Sequence, residues 1–334
     1  MRTIPAFLAA VLAGAAIAGA SPMDDPFGYF NVYSLGDIGS IQSPYGSDFQ
    51  GVAGAAGNVC FSSFSLHGND STTGYSLHTG GSARLTGAYS RSLEIGQDAQ
   101  LGHLSVGGNL VAGGNVTNFG GGTIAGNVIA EGDILLSGSM TVNGQRQSGV
   151  PFDPIAHHAP ISQYFGRTSS EIGLMAPTGV VTETWGQLSF AGASGVNVVS
   201  IDAARLRSAW GFTITAPEDA TVFINVPDGA VDLDSTNWVY GGGISRDSVL
   251  LNMPNATDLD LSGANTVNIL APLADTCFPK GLITGSLIVG QLRGGGQVNL
   301  GHFTRGGPVP EPVTLTLLVL SLPVVIRHRR RQAA

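Results

Sequence analysis

Apolar residues in this chain come in groups of two or three, separated by Gly, Asn, Asp and Ser, and the groups return at a fixed interval. Gly108-Asn109-Leu110-Val111-Ala112-Gly113-Gly114-Asn115-Val116 recurs as Gly126-Asn127-Val128-Ile129-Ala130-Glu131-Gly132-Asp133-Ile134, an offset of 18 at every position. The same step of 18 relates Leu251-Asn252-Met253-Pro254 to Ile269-Leu270-Ala271-Pro272, and Ile269-Leu270-Ala271 to Leu287-Ile288-Val289. A weaker echo, Val52-Ala53-Gly54-Ala55-Ala56-Gly57-Asn58-Val59, carries two more residues. A unit this short cannot bury its own apolar side chains, so successive units must stack and share a core. Groups of two or three apolar residues suit brief strands, and Gly, Asn and Asp tolerate the left-handed backbone of tight corners. The pattern predicts an all-β fold, a β-solenoid or parallel β-helix of about 18 residues per step, its strands stacked about 4.8 Å apart. A β-sandwich of hairpins is the alternative, since strands every 8 to 12 residues give a similar texture.

One stretch departs from this rhythm. Between Asp153 and Met175 the apolar residues Ile155, Ala159, Ile161, Phe165, Ile172 and Leu174 are spaced like one face of a helix. Asp153 followed by Pro154 predicts its start, and such a helix would flank the stack and cover strand edges.

The two ends carry different signals. Arg2 precedes an apolar run from Ala6 to Ala18 that closes on Ala18-Gly19-Ala20, the order of a secretory signal peptide over residues 1–20 with cleavage before Ser21. At the other end Val309-Pro310-Glu311-Pro312 leads into an apolar run, Val313 to Ile326, and then Arg327-His328-Arg329-Arg330-Arg331. This resembles the PEP-CTERM sorting signal over residues 309–331. The resemblance implies a transient stay in the inner membrane, arginines held on the cytoplasmic side, and an exosortase-type enzyme that recognises the Pro-Glu-Pro element.

Composition narrows what the body between these signals can be. Glycine supplies 49 of 334 residues, 11% are charged, and the one lysine is Lys280. Apolar residues in short, evenly spaced groups distinguish the chain from a disordered one. The formal net charge is −8. Without Arg2 and the four tail arginines, 10 basic residues face 23 acidic ones, near −13, a balance that repels nucleic acid. Cys60 and Cys277 are the two cysteines, and an oxidising exterior would permit a disulfide between them, with nothing in the sequence placing the sulfurs within reach.

From Phe30 to Phe303 the chain is similar to the choice-of-anchor A domain of bacterial adhesins. The opening Phe30-Asn31-Val32-Tyr33-Ser34-Leu35-Gly36-Asp37 carries the likeness, with Asp48-Phe49-Gln50-Gly51-Val52-Ala53 and Asn197-Val198-Val199-Ser200-Ile201-Asp202. Asn252-Met253-Pro254-Asn255-Ala256-Thr257 and Ile283-Thr284-Gly285-Ser286-Leu287-Ile288-Val289 complete it. The resemblance implies a β-rich body over residues 26–305, presented at the cell surface in an adhesive or matrix role, with no catalytic residues to carry over. Ser65 to Ser92 follows the pattern poorly and reads as an inserted loop.

Candidate chemistry is sparse. Asp232 with Asp234, and Asp258 with Asp260, would each share one face of a strand, so either pair could flank a sugar bond or help hold a cation. A lone pair lacks the further oxygens calcium requires, and solvated strand faces are the simpler account. His157 and His158 point about 100° apart on a helix and make a poor metal site. Gly-x-Ser-x-Gly, Cys-x-x-Cys and His-Glu-x-x-His are all absent from the sequence. Trp238 and Tyr240, in a glycine-flanked stretch from Asp234 to Gly243, are the candidates for stacking on a sugar, whereas Trp210 is assigned to the core. These readings converge on a non-enzymatic exported protein of the cell surface or extracellular matrix. It would be an adhesin or an exopolysaccharide-associated structural protein, using no cofactor and no metal. Its partners would be the exosortase-type enzyme and extracellular polysaccharide, with no nucleic acid. A lyase or hydrolase on the same scaffold is the competing reading.

Overall fold

The interval of 18 is a register offset. In a computed structural model, which describes residues 24–67 and 74–304, Leu110, Val111 and Ala112 pair with Val128, Ile129 and Ala130 in a parallel ladder. Leu250 and Ile269 likewise lie beside Asn268 and Leu287. The fold is mostly β, and parallel pairing dominates: among the described residues only Thr182–Thr184 with Gln187–Ala191 pairs antiparallel. Each pass of the chain contributes a rung to up to three faces.

Face A is the longest. Its rungs run Arg146–Gln147, Val128–Ala130, Leu110–Ala112, Ser92–Ile95, Tyr75–Thr79, Val52–Ala55, Phe30–Ser34, Leu287–Gly294, Asn268–Phe278, Val249–Asn252, Thr221–Asn225 and Val196–Ser200, each hydrogen-bonded to the next. Twelve strands at 4.8 Å extend about 50 Å. The order shows how the chain is threaded. The N-terminal half stacks outward from Phe30–Ser34 towards one end, the chain returns, and the C-terminal half stacks inward until Leu287, Ile288 and Val289 pair with Val32, Tyr33 and Ser34. The first strand therefore lies between Val52–Ala55 and the last long strand. Asn31 fastens this seam: its buried amide donates to the carbonyls of Gly285 (2.9 Å), Asn299 (3.2 Å) and Gly301 (3.1 Å), and its carbonyl oxygen accepts from the Gly51 amide (3.2 Å).

Alternation within each rung separates two cores. Inward residues such as Leu93, Leu110, Val128, Leu251, Ile269 and Leu287 fill the interior. Their outward neighbours Tyr33, Val198, Phe223, Leu250, Leu270 and Ile288 form a second cluster outside face A. The return path covers that side. Val150 donates to the Ala130 carbonyl, the Ile155 and Ala156 amides bond Glu94, and helix α1 (His158–Gly173) then lays Ile161, Phe165 and Ile172 on the outer cluster. His158 meets the Tyr33 rung and Ile172 the Asn225 rung. Fourteen residues of helix rise about 21 Å, and the four rung steps between those points span about 19 Å, so helix length and stack height match.

Three sequence expectations change here. The helix starts at His158 rather than at Asp153, because the amides of Ile155 and Ala156 are spent on the Glu94 carboxylate in a bend that precedes it. It covers a sheet face, not strand edges. Most of Ser65–Ser92 forms rungs, Tyr75–Thr79 and Ala83–Ser90 among them, rather than an inserted loop; residues 68–73 lie outside the described ones.

The corners explain the Gly-Asn pairs. The Asn109 side-chain oxygen accepts from the Asn127 amide one rung on (2.8 Å), and that of Asn127 accepts from Gln145 (2.9 Å). At another corner Asn58 serves Ser82 (2.9 Å), and Asn115 serves Asp133 (2.8 Å). The preceding glycines are there for space. A Cβ on Gly81 would lie 2.6 Å from Asn58 Oδ1 and 2.7 Å from the Gly57 carbonyl carbon and oxygen. Left-handed backbone belongs to a different corner, where Ser63 (φ 53°), Gly87 (φ 79°) and His103 (φ 39°) turn the chain between the other two faces.

Candidate functional site

Two faces remain open once face A is covered. Face B carries Val59–Ser62, the first halves of Ala83–Ser90 and Ala99–Val106, Val116–Asn118 and Ile134–Leu135; on the far side of the seam it carries the second halves of Leu287–Gly294 and Asn268–Phe278, then Asp258–Leu261 and Ala230–Leu233. Face C carries Ser65–Leu66, the second halves of Ala83–Ser90 and Ala99–Val106, Gly122–Ile124 and Met140–Val142. Register and alternation place Ser65, Tyr89, Ser105, Thr123 and Thr141 in one outward column of hydroxyl groups, one per rung.

Asp232, Asp258 and Asp260 lie on face B, and Asp234 follows its strand at the corner. Asp232 pairs in register with Asp260, and Asp258 with Asp275, on neighbouring parallel strands. Arg207 approaches Asp232 at 3.3 Å, Arg293 approaches Asp275 at 3.1 Å, and Asp234 accepts a hydrogen bond from Ser262. Of these carboxylates Asp232 is ion-paired, to Arg207, whereas Asp234 is bonded to Ser262 and Asp258 to the Thr257 hydroxyl. No group of three or more His, Cys, Asp or Glu among the described residues is placed to hold a metal ion.

Beside the seam, face B is indented by a groove of about 340 Å³ whose lining includes Asp37, Ile41, Cys60, Arg84, Asp98 and Gln100. The Arg84 guanidinium donates to Gln100 Oε1 (2.8 Å) and lies 4.0 Å from the centre of the Phe119 ring. Asp37 and Asp98 each spend one oxygen on the amide of the next rung, at Asn58 (2.6 Å) and Asn115 (2.7 Å). Burial pushes the Cys60 thiol up despite the nearby Arg84 charge. Cys277 is also on face B, but Arg293 and the Ile38–Gly39 rung separate it from Cys60. Three rung steps amount to about 14 Å, beyond the roughly 7 Å a disulfide can bridge, and both thiols are free.

The aromatic assignments are exchanged. Trp238 lies in the strand Asn237–Gly241 rather than in a loop; it is 8% exposed, stacks on Phe212 (5.4 Å, 18°) and donates to Asn265 Oδ1 (3.2 Å), so it presents no ring face to a sugar. Tyr240 is half-buried against the core, its hydroxyl bonded to the Thr266 carbonyl. Trp210, assigned to the core from sequence, is 54% exposed, and Trp185 is 93% exposed. Trp210 precedes its strand at a corner, where alternation no longer applies.

A buried polar chain sits under the return segment. Glu94 accepts from His78 Nδ1 (3.0 Å) and from the amides of Ile155 (2.8 Å) and Ala156 (3.1 Å), and His78 Nε2 meets the Tyr29 hydroxyl (2.7 Å). Burial alone would raise the Glu94 carboxyl, but these donors and the His78 charge outweigh it and hold it below its ordinary value. Closed over by the chain, this triad clasps the return path. Asp25 caps a short helical turn by accepting from the Gly28 amide (3.1 Å). The cleavage residues Ala18, Ala20 and Ser21 and the sorting residues Val309, Pro310, Glu311, Pro312, Arg327, Arg329, Arg330 and Arg331 lie outside the described residues.

Residues 24–300 match the family described as "Putative Ice-binding-like adhesive domain", and the chain belongs to that family. Among solved structures it is similar to an ice-binding protein from an Antarctic ascomycete, Antarctomyces psychrotrophicus, at 13% identity and a TM-score of 0.24, over 62% of this chain and 88% of that one. No curated protein matches it.

Proposed function

We propose that the chain is a non-enzymatic exported protein of the cell surface or extracellular matrix, a β-solenoid adhesin that binds extracellular polysaccharide. Its PEP-CTERM-like tail would be sorted by an exosortase-type enzyme after a transient stay in the inner membrane. One observation carries the reading: the chain covers face A with its own return path and leaves faces B and C as stiff outer surfaces with side chains repeated at rung spacing. Such a surface offers many weak, evenly spaced contacts, whose sum exceeds any single site. Membership of an adhesive-domain family supports it. The carboxylates of face B, set on an open sheet face with Asp232 already paired to Arg207, fit a lyase or hydrolase less well.

Co-sedimentation of residues 21–308 with polysaccharide from the source organism's own matrix, at low and high salt, tests the proposal. Saturable binding is expected, and its absence at every salt concentration would refute the polysaccharide role. A second reading, contact with ice, rests on the family description and the hydroxyl column Ser65, Tyr89, Ser105, Thr123 and Thr141. Shaped ice-crystal growth in the presence of the protein, abolished by Thr123→Val with Thr141→Val, would favour it.

A further inference from the structure

The strand end farthest from the N-terminal half presents two tryptophans that the fold does not need. Thr182–Thr184 and Gln187–Ala191 form a hairpin whose two-residue turn is Trp185-Gly186, with φ of 56° and 76°. Both central residues of such a turn are left-handed, and Asn-Gly fills it with least strain. A bulky aromatic residue with positive φ is an outlier that persists for a reason. Trp185 gains no burial in exchange, being 93% exposed. Trp210, on the adjacent rung, is fixed beside it: its indole N–H donates to the Trp185 carbonyl (2.9 Å), its backbone amide donates to the Gly186 carbonyl (3.1 Å), and its ring edge packs over Gly186. The core work of this sheet is done by Phe190, Phe212 and Trp238 on the inner side.

We propose that Trp185 and Trp210 form a binding platform for an uncharged pyranose chain. Indole faces cover the C–H face of a pyranose, and the surroundings supply neutral hydrogen-bonding groups. Thr184 and Asn237 are exposed, and Gln187 donates to Thr213 (2.8 Å) on the outer side of the same sheet. Two ion pairs lie beside the platform, Arg205 with Glu183 (3.3 Å) and Arg207 with Asp232 (3.3 Å), which favours a neutral polymer over an ionic one. Because the Trp210 indole is tied to the turn, its half of the platform is set before ligand arrives and loses little side-chain entropy on binding. The proposal rests on the polysaccharide-binding reading and places its sugar contact at this end of the stack.

The test uses the full chain in a detergent without a sugar headgroup, titrated separately with cellohexaose, maltohexaose and laminarihexaose while tryptophan emission and acrylamide quenching are followed. Trp238 is shielded, so emission changes report the two exposed indoles. A saturable blue shift with reduced quenching is expected for at least one oligosaccharide, weakened at least tenfold in Trp185→Asn and in Trp210→Thr. Trp185→Asn is expected to melt at a higher temperature than the parent while losing affinity, a combination a purely structural role would not give. The same variants are then co-sedimented with matrix polysaccharide. Unchanged binding of both variants would overturn the platform and leave the matrix reading standing. Failure of the parent to bind any sugar would overturn both. A change only in self-association on substitution would overturn it in favour of a second copy as the occupant.

Discussion

A methyl group at Gly81 should be disproportionately costly. Gly81 is buried at a corner, its amide donating to the Gly57 carbonyl (2.9 Å) and its own carbonyl accepting from Gln97 on the next rung (3.1 Å). An added Cβ would stand 2.6 Å from Asn58 Oδ1 and 2.7 Å from the Gly57 carbonyl, most of it backbone that cannot swing aside. Relief requires neighbouring rungs to part by roughly half an ångström against hydrogen bonds on both sides, and overpacking of this kind costs about 1–3 kcal/mol. The shift also stretches the Ser82 amide bond to Asn58, now 2.9 Å. Gly81→Ala is therefore expected to lower the urea midpoint by an amount equivalent to about 2–4 kcal/mol, at unchanged m-value. Gly166→Ala is the matched control. Gly166 lies within helix α1 with open space where its Cβ would go, and Ala there should stabilise by about 1 kcal/mol. If Gly81→Ala is as stable as the parent, the stacking account of the Gly-Asn corners is wrong.

Three further outcomes are expected. Asn31→Ala should destabilise by about 2–4 kcal/mol, because it takes their Asn31 partner from the buried Gly51 amide and Gly285 carbonyl at the seam, and amide exchange should quicken first in Phe30–Ser34 and Leu287–Gly294; uniform exchange across the chain would contradict the seam's role. Burial, helped by the His78 and His157 charges and opposed by Glu94, holds the His158 imidazole down to about 4 from 6.5. The unfolded chain then binds the proton first as pH falls, so stability should be full above pH 6.5 and decline towards pH 4 by at most about 3 kcal/mol, a slope that His158→Gln should flatten and whose persistence in that variant would refute the assignment. Mass analysis under oxidising conditions should find both cysteines unbridged, with Cys60 reacting with a thiol reagent more slowly than Cys277 until the protein is unfolded; a loss of two hydrogens would count against the rung assignment.

The sequence by itself determined the step between rungs. Stacking joins each rung to its nearest neighbours, so the side chains that meet, Leu110 with Val128 or Ile269 with Leu287, recur at a constant offset and leave a visible period. The corner residues were legible for the same reason, although their cause was not: Asn58 and Asn115 accept amides from the next rung, and glycine supplies clearance, where left-handed backbone was the expectation. Tertiary structure alone decided where the two halves meet. Pairing Val32 with Leu287 joins residues about 250 apart, and a single contact across that distance leaves no periodic trace. The same threading set three rung steps between Cys60 and Cys277, and it decided which tryptophans face outward. Side-chain direction alternates along a strand, so the identity of Trp210 or Trp238 carries no signal until the strand's first residue is known, and the packing of whole rungs sets that residue.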